Sequence, residues 1–243
     1  ERVATAGVVP GNNTASAGVL LLDTNGNPVP GFGTDGLVSF DPAPGQAVEY
    51  WGGIGGFART YESKTAADVA IDHAGRILLT GSSRRSPGAD VDVWVARLTA
   101  TGALDTGFGT GGIAWADIDG HRDDYALQLT VDAADRPVLT GTSATAPLGG
   151  ATDTRAQFTA RLSATGGTDA TTLPTVSTFG TGTAHIPHGM ALVDGNRVYS
   201  AGNALDQFGL FRGYPLSWIT LVAGIGGIML AMLAGMPAMV RTR

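Results

Sequence analysis

The fold is decided by a stretch that reads Ile71-Asp-His-Ala-Gly-Arg76-Ile-Leu-Leu-Thr-Gly81. In this stretch an arginine is followed by a strand-like apolar run and then, five positions after the arginine, by a glycine. The same spacing recurs in Arg2 with Gly7, Arg136 with Gly141 and Arg197 with Gly202. The later arginines follow one another at a nearly constant interval, which indicates a repeated architecture. Each copy predicts a short strand ended by its glycine, which tolerates positive φ where the chain must turn.

Other parts of the repeat recur in the same order. An apolar run and a polar turn precede three of the arginine segments, at 69–72, 129–132 and 192–194, and each predicts a hairpin. A turn that begins Phe-Gly-Thr follows later in three copies, at Phe32, Phe108 and Phe179. We expect the arginines to be structural and to pair with turn carboxylates such as Asp72 or Asp132.

The number of strands per repeat predicts the fold class. Successive repeats contain about three, four, four and three strand-like runs, and abundant glycine with few charged residues favours strands and turns. Four strands per unit is what a propeller blade needs. We therefore expect residues 1–212 to be an all-β, propeller-like domain of about three to four four-stranded units in a minimal, incomplete or open ring. A β-sandwich or irregular barrel made of the same hairpins is the alternative.

One copy of the repeat resembles a known family. From Ile71 to Gly112 the chain follows D-x-x-G-R-I-L-L-T-G and then A-R-L-x-x-x-G-x-L-D-x-x-F-G-x-G-G, which resembles the bacterial delta-60 repeat. The next copy departs from this pattern, since Pro137 replaces the apolar residue after Arg136. The resemblance implies a secreted or surface β-propeller, and it implies no shared reaction and no catalytic residues.

The C-terminal part contains a long, uncharged apolar run, from Leu216 to Val240. A helix of this length crosses about 30 Å of hydrocarbon, so we expect a transmembrane helix within 213–240. Aromatic residues at its start and arginines after its end suit the two membrane surfaces: Tyr214, Trp218, Arg241 and Arg243. The basic tail 241–243 is expected in the cytoplasm, which places the β domain in the periplasm or outside the cell.

Small residues recur at every fourth position along this run: Ala223, Gly227, Ala231 and Gly235. Such a face lets the backbone of a second helix approach closely. We therefore predict that the helix packs against another membrane subunit. The alternative is a lone anchor surrounded by lipid, in a chain where glycine and alanine are common.

The segment 45–64 interrupts the repeat and is rich in glycine and aromatic residues: Tyr50, Trp51, Phe57 and Tyr61. Exposed aromatic side chains dominate many protein interfaces, so this insertion is a candidate partner contact. An insertion that folds back over its own core is the other interpretation.

Several motifs suggest chemistry, but each has a structural explanation. The segments 31–36 and 107–112 match G-x-G-x-x-G, yet strand-like residues follow both, so we predict turns and not nucleotide sites. His185 and His188 lack an evident third zinc ligand, and we interpret them as loop histidines.

Four carboxylates surround Gly120: Asp117, Asp119, Asp123 and Asp124. A cation such as Ca²⁺ needs several oxygen ligands from a flexible loop. The spacing departs from the EF-hand and lacks its closing glutamate. We predict a solvated acidic turn, with Ca²⁺ binding as the alternative.

Composition and missing signatures restrict the function. A net charge of −6 opposes binding to nucleic acid, and the absence of cysteine excludes disulfides and thiolate metal sites. No serine-hydrolase, zinc-protease or P-loop signature occurs. Since Glu1 is not a start residue, we expect a removed export signal or further residues upstream.

These features favour a non-enzymatic accessory subunit of a bacterial membrane, with no cofactor. Its helix would pack into a larger complex of the respiratory or photosynthetic reaction-centre type, and its β domain would cover the extracytoplasmic face of that complex. One alternative is a surface adhesin or ligand-binding propeller on a simple tether. Another is a hydrolase whose site lies in a propeller channel.

Overall fold

The computed structural model describes residues 2–10, 15–44, 66–86, 89–120, 122–144, 155–167, 175–177, 184–193 and 197–205. This part of the chain is all-β, as predicted, with strands and turns and no helix. It accordingly contains no helix long and apolar enough to cross a membrane. The expected helix 213–240, the tail 241–243 and the aromatic insertion 45–64 lie outside the described residues.

The strands form three sheets. The first sheet contains, in chain order, β1 (Arg2–Pro10), β2 (Ala15–Asp23) and β3 (Leu37–Phe40). The middle sheet contains, in chain order, β4 (Ala66–Ile71), β5 (Ile77–Arg84), β6 (Val91–Leu98) and β7 (Ile113–Ala116). The third sheet contains β8 (Asp123–Val131), β9 (Pro137–Ala144), β10 (Arg155–Arg161), β11 (Thr175–Ser177), β12 (Ala184–Val193) and β13 (Arg197–Leu205). Its order is β13-β12-β10-β9-β8, with β11 paired to β10.

Each copy of the repeat forms one antiparallel unit of the fold. The first unit is β1 to β3, the second β4 to β7, the third β8 to β11 and the fourth β12 with β13. The predicted hairpins are confirmed, since β4 pairs with β5, β8 with β9 and β12 with β13. A single parallel bridge, from Arg155 to Ala184, joins the third and fourth units. The sheets do not close into a ring within the described ranges.

The middle sheet lies between the other two, and this position explains its continuous apolar strands. On β5, Leu79 packs with residues of the first sheet, whereas Leu78 packs with residues of the third. Successive side chains of a strand point to opposite faces, so both faces of this sheet are buried. Trp94 on β6 faces the first sheet and meets the Phe40 ring edge-on, with ring centroids 6.0 Å apart.

A β-bulge recurs at the same place in three units. The register shifts lie between Ala66 and Asp68 on β4, between Ala126 and Gln128 on β8, and between Pro187 and Gly189 on β12. The bulges therefore follow one another along the chain at the same intervals as the repeat arginines of these units. In each unit the strand residue before the bulge pairs with the repeat glycine of the neighbouring strand.

This bulge accounts for the repeat glycine. A Cβ on Gly141 would collide with the carbonyl oxygen of Tyr125, and one on Gly202 would collide with that of Ile186. The prediction that the glycine ends its strand is wrong, because β5, β9 and β13 each continue beyond it, to Arg84, Ala144 and Leu205. Neither Gly141 nor Gly202 has a positive φ. The residue is needed for close approach of the bulged partner strand, not for a turn.

Candidate functional site

The repeat arginines of the second and third units bind buried carboxylates of their own turns. Nε of Arg76 donates to Oδ2 of Asp72 at 2.6 Å, and Nε of Arg136 donates to Oδ2 of Asp132 at 2.8 Å. Oδ1 of each aspartate accepts two backbone amides of the turn that follows it. The predicted pairing is therefore confirmed. Charge-assisted hydrogen bonds of this kind stabilise the turn.

The two segments that match G-x-G-x-x-G are turns, as predicted, and each contacts the next unit. The amide of Gly33 donates to the carbonyl of Thr101 at 3.1 Å, and the amide of Gly109 donates to the carbonyl of Thr165 at 2.8 Å. We call these two hydrogen bonds the unit junctions. Strands β3 and β7 follow the turns, so neither has the helix N-terminus that a pyrophosphate requires.

Both histidines singled out in the sequence lie on β12, so their interpretation as loop residues is wrong. His185 is buried and His188 is exposed at the bulge of this strand. Pairing with β13 extends the strand through both residues, which the short His-Ile-Pro-His pattern did not indicate. Within the described ranges, neither residue belongs to a group of side chains that could hold a metal ion.

The four carboxylates around Gly120 do not form one solvated turn. Asp117 is exposed, and Asp119 pairs with Arg122 at 3.1 Å, as expected of a surface turn. Asp123 and Asp124 instead begin strand β8 and are only 8% and 0% exposed. The prediction is wrong for these two residues, because β8 pairs with β9 from Asp123 onwards and carries both into the interior.

Three aspartates from different elements converge at this place, and we call them the aspartate cluster. Asp92 belongs to β6, Asp117 follows β7, and Asp124 belongs to β8. One carboxylate oxygen from each lies within 4.8 Å of the other two. The cluster therefore lies where the second unit meets the third. Asp119 and Asp123 are not members, and Oδ1 of Asp123 accepts the amide of Val91 at 2.9 Å.

Burial determines the electrostatics of the cluster. Burial raises the pKa of Asp124 to about 7, and the charges of Asp117 and Asp92 add to the rise. The Ile118 amide, which donates to Oδ2 at 2.8 Å, opposes it. The Ser143 side chain, opposite Asp124 on β9, also opposes the rise of the pKa, but neither its hydroxyl nor the buried Oδ1 of Asp124 makes a hydrogen bond of regular geometry.

The negative charges of the other two members of the cluster, Asp92 and Asp117, each meet a hydrogen-bond donor. Burial raises the pKa of Asp92, although Nε of Arg85 lies 2.7 Å from its Oδ2 and opposes the rise. Oδ1 of Asp117 accepts the amide of Gly120 at 2.8 Å. The cluster therefore combines one exposed carboxylate, one carboxylate paired with a cation, and one buried carboxylate with an unused oxygen.

Asp92 is the member that the sequence analysis missed. It lies far before Asp117 in the chain, and only the pairing of β6 with β7, in which Val93 faces Ala116, brings the two together. The signal that could have found it was the register of that hairpin, since a residue at the start of one strand meets the residue after the end of its partner.

The sequence was compared with known protein families and with curated proteins, and neither comparison finds a match.

Proposed function

We propose that the protein is a non-enzymatic accessory subunit held in a bacterial membrane, with its β-repeat domain on the extracytoplasmic side. The observation that carries the proposal is that the residues marking the repeat serve the fold. Arg76 and Arg136 bind turn carboxylates, and the amides of Gly33 and Gly109 bind the next unit. A module whose motif residues are used for packing offers partners a surface instead of a reaction centre.

We infer a propeller-like arrangement of the units, with an open ring. The first three units pack face to face, the fourth extends the sheet of the third, and the first strands of three units, β4, β8 and β12, contact one another in series. The inner strands of propeller blades are placed in this way. The resemblance of the stretch from Ile71 to Gly112 to the delta-60 repeat supports the same arrangement.

The membrane part of the proposal rests on the sequence. The apolar run from Leu216 to Val240 has the length of a spanning helix, and two arginines follow its end closely whereas one, Arg212, precedes its start. Its ladder of small residues would pack into a helix of a larger complex, of the respiratory or photosynthetic reaction-centre type. The β domain would then cover the extracytoplasmic face of that complex.

Native gel electrophoresis of the full chain, extracted from its own membrane in mild detergent, tests this function. The wild-type chain should migrate with a complex several times its own mass. Gly227→Leu should release it, because the larger side chain fills the face that a second helix needs. Gly226→Leu is the matched control: it makes the same change about 100° away around the helix and should leave the complex intact.

Two results would overturn the proposal. One is a wild-type chain that migrates alone in mild detergent, which would favour a simple tether for a ligand-binding domain. The other is an equal loss of the complex in both leucine variants, which would exclude the ladder as the packing face.

A further inference from the structure

The aspartate cluster lies at the contact between the middle and third sheets. Asp92 and Asp117 lie at one end of the middle sheet, and Asp124 begins the first strand of the third sheet. One carboxylate oxygen of each lies within 4.8 Å of the other two, although like charges at this distance repel. Arg85 compensates one of the three charges through its contact with Asp92. Two carboxylates therefore remain without a cation in the described contacts of the cluster.

A second observation concerns Asp124 itself. Its side chain is completely buried and its Oδ2 accepts the Ile118 amide, whereas its Oδ1 makes no hydrogen bond of regular geometry, although Ser143 lies opposite it on β9. A buried carboxylate oxygen without a partner is costly unless a positive charge or a donor meets it. Asp124, which has one oxygen without a regular hydrogen bond, thus lies where two further carboxylates converge.

We propose that Asp92, Asp117 and Asp124 bind one Ca²⁺ ion between the second and third units. The donors among the described residues are all carboxylate oxygens, which hard cations prefer. Three oxygens within 4.8 Å of one another lie at most about 2.8 Å from a common centre, so a small movement brings all three to the distance of about 2.4 Å that Ca²⁺ prefers. Asp117 is exposed, so water can supply the remaining ligands.

Calcium suits this site better than magnesium. Mg²⁺ requires a nearly ideal octahedron and gives up its water reluctantly, whereas Ca²⁺ accepts irregular sets of six to eight oxygens. The three aspartates come from two sheets, so a cation between them must accept the spacing that the packing of the sheets sets. A bound Ca²⁺ would connect Asp92 and Asp117 of the second unit to Asp124 of the third.

Calorimetric titration and thermal unfolding of the full chain in detergent, after treatment with a chelator, test the site. We expect one Ca²⁺ per chain and a higher unfolding temperature with millimolar Ca²⁺, since a ligand that binds only the folded state stabilises it. The same concentration of Mg²⁺ should give a clearly smaller shift.

Two variants, at positions 117 and 119, provide the decisive comparison. Asp117→Asn should abolish the calcium-dependent shift, because it removes an exposed ligand without disturbing the interior. Asp119→Asn removes the same charge from a nearby position outside the cluster, and should keep the shift. Asp124→Asn should also lose the shift; if this buried variant fails to fold, the first pair still decides.

Three results would overturn the proposal: no heat of Ca²⁺ binding to the wild-type chain, equal shifts with Mg²⁺ and Ca²⁺, or an unchanged shift in Asp117→Asn. None of them depends on the membrane partner, so they are distinguishable from a failure of the proposed accessory function.

Discussion

Asp135 occupies a turn position that glycine occupies in the preceding unit. Its φ is 59°, and that of the corresponding Gly75 is 75°. Aspartate is one of the few residues that adopt this left-handed region without large strain. Here its side chain also makes contacts, because Oδ1 lies 2.8 Å from Nδ1 of His73 and Oδ2 lies 3.4 Å from Arg76. One residue thus connects the turns of two neighbouring units.

We expect Asp135→Asn to destabilise the protein at neutral pH by at most about 1 kcal/mol, since the contact is near the surface. The side-chain and backbone hydrogen bonds from His73 lower the pKa of Asp135 below its ordinary 3.8. The stability that this carboxylate contributes is therefore present above pH 3.8 and lost as the pH falls through the lowered value. Asparagine keeps the preference for the left-handed turn.

Denaturant unfolding of both chains between pH 7 and pH 3 measures this effect. The difference in unfolding free energy between wild type and Asp135→Asn should narrow below pH 4. A difference of constant size over the whole range would show that the charge of Asp135 contributes nothing.

At the scale of elements, the second unit meets the first through a tight turn. Gly26 and Gly102 hold the same position in successive units and have φ values of 81° and 89°. A Cβ on Gly102 would lie 2.5 Å from Cγ2 of Val38 and 3.0 Å from the amide nitrogen of Gly33. A Cβ on Gly26 would meet nothing within 4 Å. The two glycines therefore share a conformation, and only one of them is packed against another unit.

We predict different costs for the same substitution at these two positions. Gly26→Ala should cost about 1–2 kcal/mol, because alanine is strained at positive φ. Gly102→Ala should cost about 1–3 kcal/mol more, because the added methyl group separates the packed units. Chemical unfolding of the two variants gives both values, and the difference reports the packing at the junction. Equal losses would contradict the observed contact.

The hairpins could be predicted from the sequence, whereas the role of the repeat glycine could not. An apolar run, a polar turn and a second apolar run indicate a hairpin whatever surrounds it, and all three examples formed. The need for glycine arises from a bulge on the partner strand, which shifts the register by one residue. Register depends on contacts between strands, and spacing along one strand does not report it.

At the scale of the whole molecule, the middle sheet supports two separate hydrophobic layers. Leu78 and Leu79 are adjacent on β5 and both fully buried. Leu78 shares a cluster with Leu139 of the third sheet, and Leu79 shares a cluster with Val19 of the first. Two neighbouring residues of one strand thus pack against different sheets.

Leu78→Ala and Leu79→Ala should each cost about 2–5 kcal/mol, but they should loosen different regions. Hydrogen exchange followed by mass spectrometry should quicken mainly in the third sheet for Leu78→Ala, and mainly in the first sheet for Leu79→Ala. Each variant is the control for the other. Faster exchange of the same sheet in both would contradict a middle sheet with two independent faces.

The candidate site was less predictable than the fold for a related reason. Asp117 and Asp124 were visible as a local group of acidic residues, but their different burial was not, because it depends on where β8 begins. Asp92 enters the site only through pairing of β6 with β7 and packing against the next unit. A cluster made of three elements has no local pattern that a single stretch of sequence can show.

The hydrogen bonds between Gly33 and Thr101 and between Gly109 and Thr165 make the array directional. The second unit contributes the carbonyl of Thr101 to the bond with the first unit and the amide of Gly109 to the bond with the third. A tandem duplication of one whole unit would therefore copy both the acceptor and the donor. Gain or loss of whole units would preserve the hydrogen bonds between neighbouring units. A duplication or deletion that begins inside a unit would leave a donor or an acceptor without its partner.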